Sequence, residues 1–176
     1  MSLLPCYRDC FFCGPHGDGL KMHIQFKDGS AFSDFALNPK FQGYDNVAHG
    51  GIVTGILDEV MWWTIFAGVG KISVTRKMET EFLRPVFCAV PYRVNGRILE
   101  QRHGNIYVSG TIEDSHGKVV ARGKGLFRTA RHTTPGELAA KLDFSHVSPE
   151  MKEALLAALG GQEKDKAGRD KDWNKG

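Results

Sequence analysis

The sequence predicts an antiparallel α+β fold, a sheet gathered around one long central helix, and three observations predict it. Residues 50–67, GGIVTGILDEVMWWTIFA, carry apolar side chains on every face of the helix they would form, and a helix hydrophobic all round is a buried one. Ahead of it, residues 20–37 alternate apolar and polar around Asp28-Gly29, the signature of a hairpin. Behind it, four strand-length runs follow at about 72–84, 90–102, 105–114 and 118–130. One helix between an early hairpin and a later run of strands leaves a sheet with a single helix to cover.

The elements follow in order. Residues 1–19 are rich in Cys, Gly and Pro and read as an irregular lead-in. Leu20, Met22, Ile24 and Phe26 give a first strand its apolar face, and Ala31, Phe32, Phe35 and Leu37 a second. Residues 38–48 read as a loop punctuated by Pro39, Gly43 and Asn46. The central helix closes at Gly68 and Gly70, and Pro85, Pro91, Gly104 and His116-Gly117 separate the later strands. Val108, Gly110 and Ile112 keep the strand rhythm, with a small residue where a neighbour can approach closely. Residues 149–159 form a short amphipathic helix, with Pro149 at its start and Gly160-Gly161 at its end. Residues 161–176 carry nine charges of mixed sign and are expected to be a disordered tail. Four segments result: a lead-in at 1–19, the main domain at 20–132, a helical extension at 133–160 and a tail at 161–176.

Composition narrows the function. Of 176 residues, 41% are hydrophobic and 24% charged, ordinary for a globular chain able to bury a core. A net charge of +3 gives no bulk reason to expect nucleic acid or an anionic membrane as partner. With charges breaking its longest apolar run, the chain is not expected to span a membrane, and its start lacks the basic and apolar regions of a signal peptide. Three of the four cysteines crowd into the first thirteen residues, unlike a disulfide framework, so a cytoplasmic location is expected.

The most informative feature is the pair Asp58-Glu59 inside the buried helix. Two carboxylates there are costly unless paired, neutralised or used. Thr54, Asp58 and Trp62 share one face, while Glu59 points about 100° away beside Gly55 and Trp63. A structural reading pairs one acid with Arg76, Lys77 or Arg84. A functional one begins at the helix start, where His49-Gly50-Gly51 presents backbone N–H groups that a ligand carbonyl can reach, a plausible oxyanion hole. Asp58 lies nine residues beyond His49, about 13 Å along a helix. One chain cannot bring both ends to one carbonyl. If both act, the carboxylate comes from a second copy of the helix, and a twofold dimer makes two such sites.

These residues resemble the hotdog-fold acyl-CoA thioesterases of the phenylacetate-degradation and thioesterase-superfamily-member type. In that family a buried helix opens with His-Gly-Gly and carries Asp or Glu nine residues after the His, as His49-Gly50-Gly51 and Asp58 do here. The likeness extends to Thr75 with the run Phe82-Leu83-Arg84-Pro85 and to the small-residue strand between Gly117 and Gly125, covering about residues 10–130. It implies a hotdog fold and hydrolysis of an acyl-CoA, with Asp58 as nucleophile or general base and the Gly51 amide polarising the thioester carbonyl. Thr75 would position water or substrate, and His49 would orient the helix start. Many members carry Asn or Gln six residues before the His. Here that position is Gly43, flanked by Gln42, with Asn46 three residues before His49, and either amide is a candidate stand-in. Gly50, Asn46, Gln42, Trp62, Arg84 and Arg128 are the expected substrate contacts. Arg84 and Arg128, with Arg122, Lys124 and Arg131, are candidates for the phosphates of coenzyme A. Trp62, Trp63 and Phe66 tilt the acyl group toward a bulky or aromatic one. No metal or cofactor beyond the substrate's coenzyme A is expected, and the working unit is a dimer or dimer of dimers.

Two rivals stand beside this reading: a non-catalytic acyl-CoA-binding hotdog protein, sensor or carrier, and a small zinc-dependent interaction module. The second rests on Cys6, Cys10, Cys13 and His16, four soft ligands with one irregular spacing. Relatives of the hotdog type share a Cys-Phe-x-Cys-Gly lead-in, which favours a structural role for these thiols.

Overall fold

The chain runs β1 (Ser2–Leu3), β2 (Cys6–Tyr7), β3 (Gln25–Lys27), β4 (Ser30–Ala36), a 3-10 turn (Pro39–Phe41), β5 (Gln42–Tyr44), β6 (Val47–Ala48) and α1 (Gly50–Val69). It continues through β7 (Ser73–Phe82), β8 (Pro91–Arg102), β9 (Asn105–Asp114), β10 (Val119–Thr129), α2 (Pro135–Lys141), β11 (Leu142–Asp143) and α3 (Pro149–Lys166). The computed structural model describes residues 2–15, 17–130 and 133–166, the side chains of 161–166 excepted. Seven strands form one antiparallel sheet in the order β1-β3-β4-β8-β9-β10-β7. It wraps α1, which touches β4, β7, β8, β9 and β10.

Asp28 and Gly29 both adopt positive φ (51° and 79°), the two-residue turn whose twist matches a hairpin. The first strand is shorter than its alternation predicts. Met22 and Ile24 are buried while Lys21 and His23 are exposed, but ladder pairing with β4 begins only at Gln25. The reason lies in the lead-in, which takes the earlier backbone groups: the N–H of Leu20 donates to Phe11 O, and that of Met22 to Phe12 O. The loop at 38–48 contains the small β5–β6 hairpin.

How closely α1 approaches the sheet is set by glycine. Gly96, Gly110 and Gly123 lie side by side in register across β8, β9 and β10. A Cβ at Gly96 would overlap Thr64 Oγ1 and come within 3.0 Å of Val60 O, and one at Gly110 would stand 3.0 Å from both Leu57 and Met61. Into this trough α1 presses Leu57, Val60, Met61 and Ile65, all fully buried. Thr64 is buried with them. Its hydroxyl donates to Val60 O (2.8 Å) and accepts from Ala31 N (3.3 Å), so its polar group is satisfied.

The helix does not stop at Gly68 but runs to Val69, and Gly70 ends it in the left-handed conformation (φ 65°). By length and apolarity α1 is long enough to cross a membrane, yet here it is the core helix of the sheet. Beyond the sheet, Thr134 and Glu137 form a capping box that starts α2, and β11 pairs with β2 of the lead-in. The helix expected to end at Gly160-Gly161 continues to Lys166. Residues 167–176 of the expected tail lie outside the described residues.

Substituting Gly96→Ala should cost about 1–3 kcal/mol through overpacking against Thr64. Gly136→Ala in α2, where an added Cβ meets nothing within 4 Å, serves as the neutral control. Equal melting temperatures for the two variants would contradict the trough.

Candidate active site

The helix begins where expected. His49 is the N-cap of α1, and its Nδ1 accepts the Gly51 N–H at 3.0 Å. His49, Gly50 and Gly51 are all exposed. The Phe82 ring stands close to Gly50, where an added Cβ would lie 3.4 Å from it. Gly43 packs against His49 so closely that a Cβ there would fall 3.1 Å from His49 Cα. A side chain at 43 would require the capping histidine to give by a few tenths of an ångström. Gln42 uses its own Oε1 to accept the Asn46 N–H (3.1 Å) within the exposed β5–β6 hairpin, just ahead of the helix.

Asp58 and Glu59 part company as their 100° separation requires. The Thr75 hydroxyl on β7 donates to Asp58 Oδ1 at 2.7 Å. Thr75 faces the helix because it pairs with inward-pointing Phe127 of β10, next to the bulge between Leu126 and Phe127. Burial raises the Asp58 carboxyl above its ordinary value, opposed by the Thr75 hydrogen bond. One turn on, Trp62 Nε1 donates to Ser73 O (2.9 Å), and its ring stacks on Phe66 at 5.2 Å between centroids. Asp58 and Trp62 line a cleft of about 450 Å³, together with Tyr7, Cys10, Val74 and Leu138. Phe66 is not on its wall. That volume lies within the range of small-molecule sites.

Glu59 turns to the lead-in. Trp63 Nε1 donates to its Oε1 (2.8 Å), and the Cys10 thiol donates to its Oε2 (3.4 Å). Burial pushes the Glu59 carboxyl up to about 8. Neither acid forms an ion pair with Arg76, Lys77 or Arg84, or with any other cation among the described residues. All four cysteines are free thiols. Cys6 sits on β2 opposite Asp143, away from Cys10 and Cys13, and His16 lies outside the described residues. The four-ligand set drawn from spacing is therefore replaced by Cys10, Cys13 and Glu59.

The basic residues do not form one phosphate site. Arg84 follows β7, with its N–H on Val120 O, whereas Arg128 pairs with Val74 and Asn105 at the other end of β10. Eight residues of strand, about 25 Å, separate those ends. Arg122 is taken by Glu81 at 2.7 Å, and Arg131 lies outside the described residues.

Sequence reading missed the far wall of the cleft. Tyr7 and Leu138 reach it from opposite ends of the chain, joined by the pairing of Leu142 with Tyr7. The Thr134-x-x-Glu137 capping box was a legible sign of α2, but no local pattern says where that helix docks.

An antiparallel sheet wrapped on a buried helix is the hotdog fold, and residues 45–121 match the family model of the thioesterase superfamily. Solved structures agree. A thioesterase superfamily protein is 26% identical over 62% of this chain and 54% of its own, with a TM-score of 0.59. A phenylacetic acid degradation-related protein from Ralstonia eutropha is 24% identical over 62% of this chain and 86% of its own (TM-score 0.57). A Streptococcus mutans protein bound to acetyl CoA shares the fold at 16% identity, over 66% of this chain and 94% of its own (TM-score 0.59). An uncharacterised protein of Schizosaccharomyces pombe is 27% identical over 90 residues, 48% of this chain and 51% of that protein. The chain thus spans about half the length of the curated relative it matches. The fold is that of a hotdog protein, and its central segment matches the thioesterase superfamily.

If Asp58 reacts, Thr75→Val should lower kcat about tenfold, the value of one hydrogen bond, with KM little changed. Thr75→Ser should keep most of the activity. A Thr75→Val enzyme with unchanged kcat would remove Thr75 from the reaction.

Proposed function

We propose that this chain hydrolyses an acyl-CoA thioester at a site shared between two copies. The observation that carries this reading is Asp58, a carboxylate on a core helix, held by Thr75 on the wall of a largely apolar cleft. Asp58 supplies the electron pair, either by taking a proton from an attacking water or by attacking the thioester carbon itself. The carbon–sulfur bond then breaks, coenzyme A leaves as the thiol, and water supplies the oxygen of the released acid. The helix N-terminus, with the Gly51 amide at its opening, polarises the carbonyl oxygen. For a carbonyl to take that amide, His49 must release it, so His49 both holds and yields the helix start.

Sharing follows from distance. Gly51 and Asp58 are seven residues apart on one rigid helix, about 10 Å. Two features support a second copy. β7 ends the sheet, its ten residues bonded only to β10 along one edge among the described strands. Apolar side chains around the helix start are left in water, with Phe82 53% and Tyr44 82% exposed and Leu83 and Phe87 exposed beside them. The aromatic wall at Trp62 and Tyr7 suits a bulky acyl group.

The test is release of free thiol from a panel of acyl-CoAs. Asp58→Asn should lower turnover by at least about a hundredfold, while Asp34→Asn, paired with Arg93 across β4 and β8, should leave it unchanged. Tight acyl-CoA binding without turnover by the unaltered protein would assign it instead to a carrier or sensor. Mixing folded Asp58→Asn and Gly51→Pro subunits should restore one intact site per mixed dimer. No recovery after proven subunit exchange would sink the shared site.

A further inference from the structure

The Cys10-x-x-Cys13 turn is built against α1 more carefully than a lead-in needs. Gly14 N–H donates to Cys10 O (2.9 Å), and a Cβ at Gly14 would lie 2.7 Å from Arg8 O, so the chain doubles back immediately after the second cysteine. Phe12, between the cysteines, lays its ring where a Cβ of Gly55 would be, which seats the turn on the helix one turn before Glu59. As a result the two sulfurs and a Glu59 carboxylate oxygen all lie within 4.8 Å of one another.

We propose that Cys10, Cys13 and Glu59 bind a zinc ion that pins the lead-in to the central helix. Zinc bonds of about 2.3 Å to sulfur and 2.0 Å to oxygen place tetrahedral ligands about 3.8 Å (S to S) and 3.5 Å (S to O) apart. Cys10 Sγ and Glu59 Oε2 are 3.4 Å apart, close to the S-to-O spacing, and all three donors lie within 4.8 Å of one another. Each donor also has outer support. Trp63 holds Glu59 Oε1 and leaves Oε2 for the metal, the arrangement that orients ligating carboxylates. The backbone N–H of Phe12 donates to Cys10 Sγ (3.3 Å) and that of Tyr7 to Cys13 Sγ (3.4 Å). N–H groups aimed at sulfur act in favour of the thiolate, the form that binds metal, although the neighbouring Cys10 and burial hold the Cys13 thiol up while the ion is absent. Thiolates select zinc over magnesium or calcium. Two thiolates and a carboxylate bring three negative charges into a place with no ion-paired cation among the described residues, and a divalent ion offsets most of them. The cleft that Cys10 and Glu59 border leaves the fourth position open to water. The ion fixes the wall that faces Asp58. It stands apart from the thioesterase reading, because metal binding is measured without any substrate.

The experiment uses the full chain, purified reduced and without chelator. Metal analysis should find about one zinc per chain. After zinc removal, Co²⁺ should give a thiolate-to-cobalt charge-transfer band that saturates at one equivalent. Cys13→Ser and Glu59→Gln should weaken or abolish it, and Cys88→Ser, a buried cysteine outside the trio, should keep it. Should the variants fail to fold, the unaltered protein still decides. Zinc at a hundredfold excess over Kd should raise its melting temperature by about 5–10 °C over the chelated form. No charge-transfer band and no melting shift overturn the proposal, as does a band that survives in both Cys10→Ser and Cys13→Ser. A protein that binds zinc yet cleaves no acyl-CoA would overturn the thioesterase reading and leave this one standing.

Discussion

The close seating of α1 against the sheet is the constraint from which the rest of the molecule follows. Three glycines in register on neighbouring strands remove the side chains that would hold the helix off, so Leu57, Val60 and Met61 reach the sheet surface. A helix seated that deeply has its rotation fixed, because turning it would take Thr64 Oγ1 away from the buried Ala31 N–H of β4. Once the rotation is fixed, every other side chain on α1 has an assigned neighbour. Asp58 must meet β7, and Glu59 must meet whatever covers the opposite flank.

That flank is covered by the lead-in, and the two adjacent acids therefore live in different chemistry. Asp58 has the Thr75 hydroxyl as partner and borders an open cleft. Glu59 has an indole and a thiol and faces the inner side of a tight turn. A difference of one residue, about 100° of helix, separates a carboxylate on the cleft wall held by a hydroxyl from one held by an indole and a thiol. Burial raises both carboxyls, so a shifted pKa alone would not have told them apart. Their neighbours do.

Much of this was legible before any coordinates. The four later strands fall within about two residues of their expected limits, because periodicity and turn residues are local signals. Gly110 was visible as a small residue in strand rhythm, though only register shows that it lines up with Gly96 and Gly123. Legibility ended where one segment answers to another far away. The alternation at Leu20 and Met22 reads as ladder strand, yet those residues give their N–H groups to Phe11 and Phe12. Cys6, Cys10 and Cys13 read as one set by spacing, while the fold sends Cys6 to Asp143 and brings Glu59 to the other two. Arg84 and Arg128 read as companions by type and sit at opposite ends of one strand. Side-chain chemistry was readable residue by residue; partnership across the chain was not.

The pairing of β11 with β2 has a further effect. It clasps the two ends of the chain together beside the cleft, and both ends lie outside the segment that matches the thioesterase superfamily, residues 45–121. Asp58, Trp62 and Val74 come from inside that segment, whereas Tyr7, Cys10 and Leu138 come from outside it. The cleft therefore lies on a seam between the matched segment and the chain on either side of it. The Asp58 carboxylate belongs to the matched segment, and part of the wall facing it comes from outside that segment. Changes to the clasp can reshape what the cleft admits while the glycine-seated helix, and the acid it carries, stay where they are.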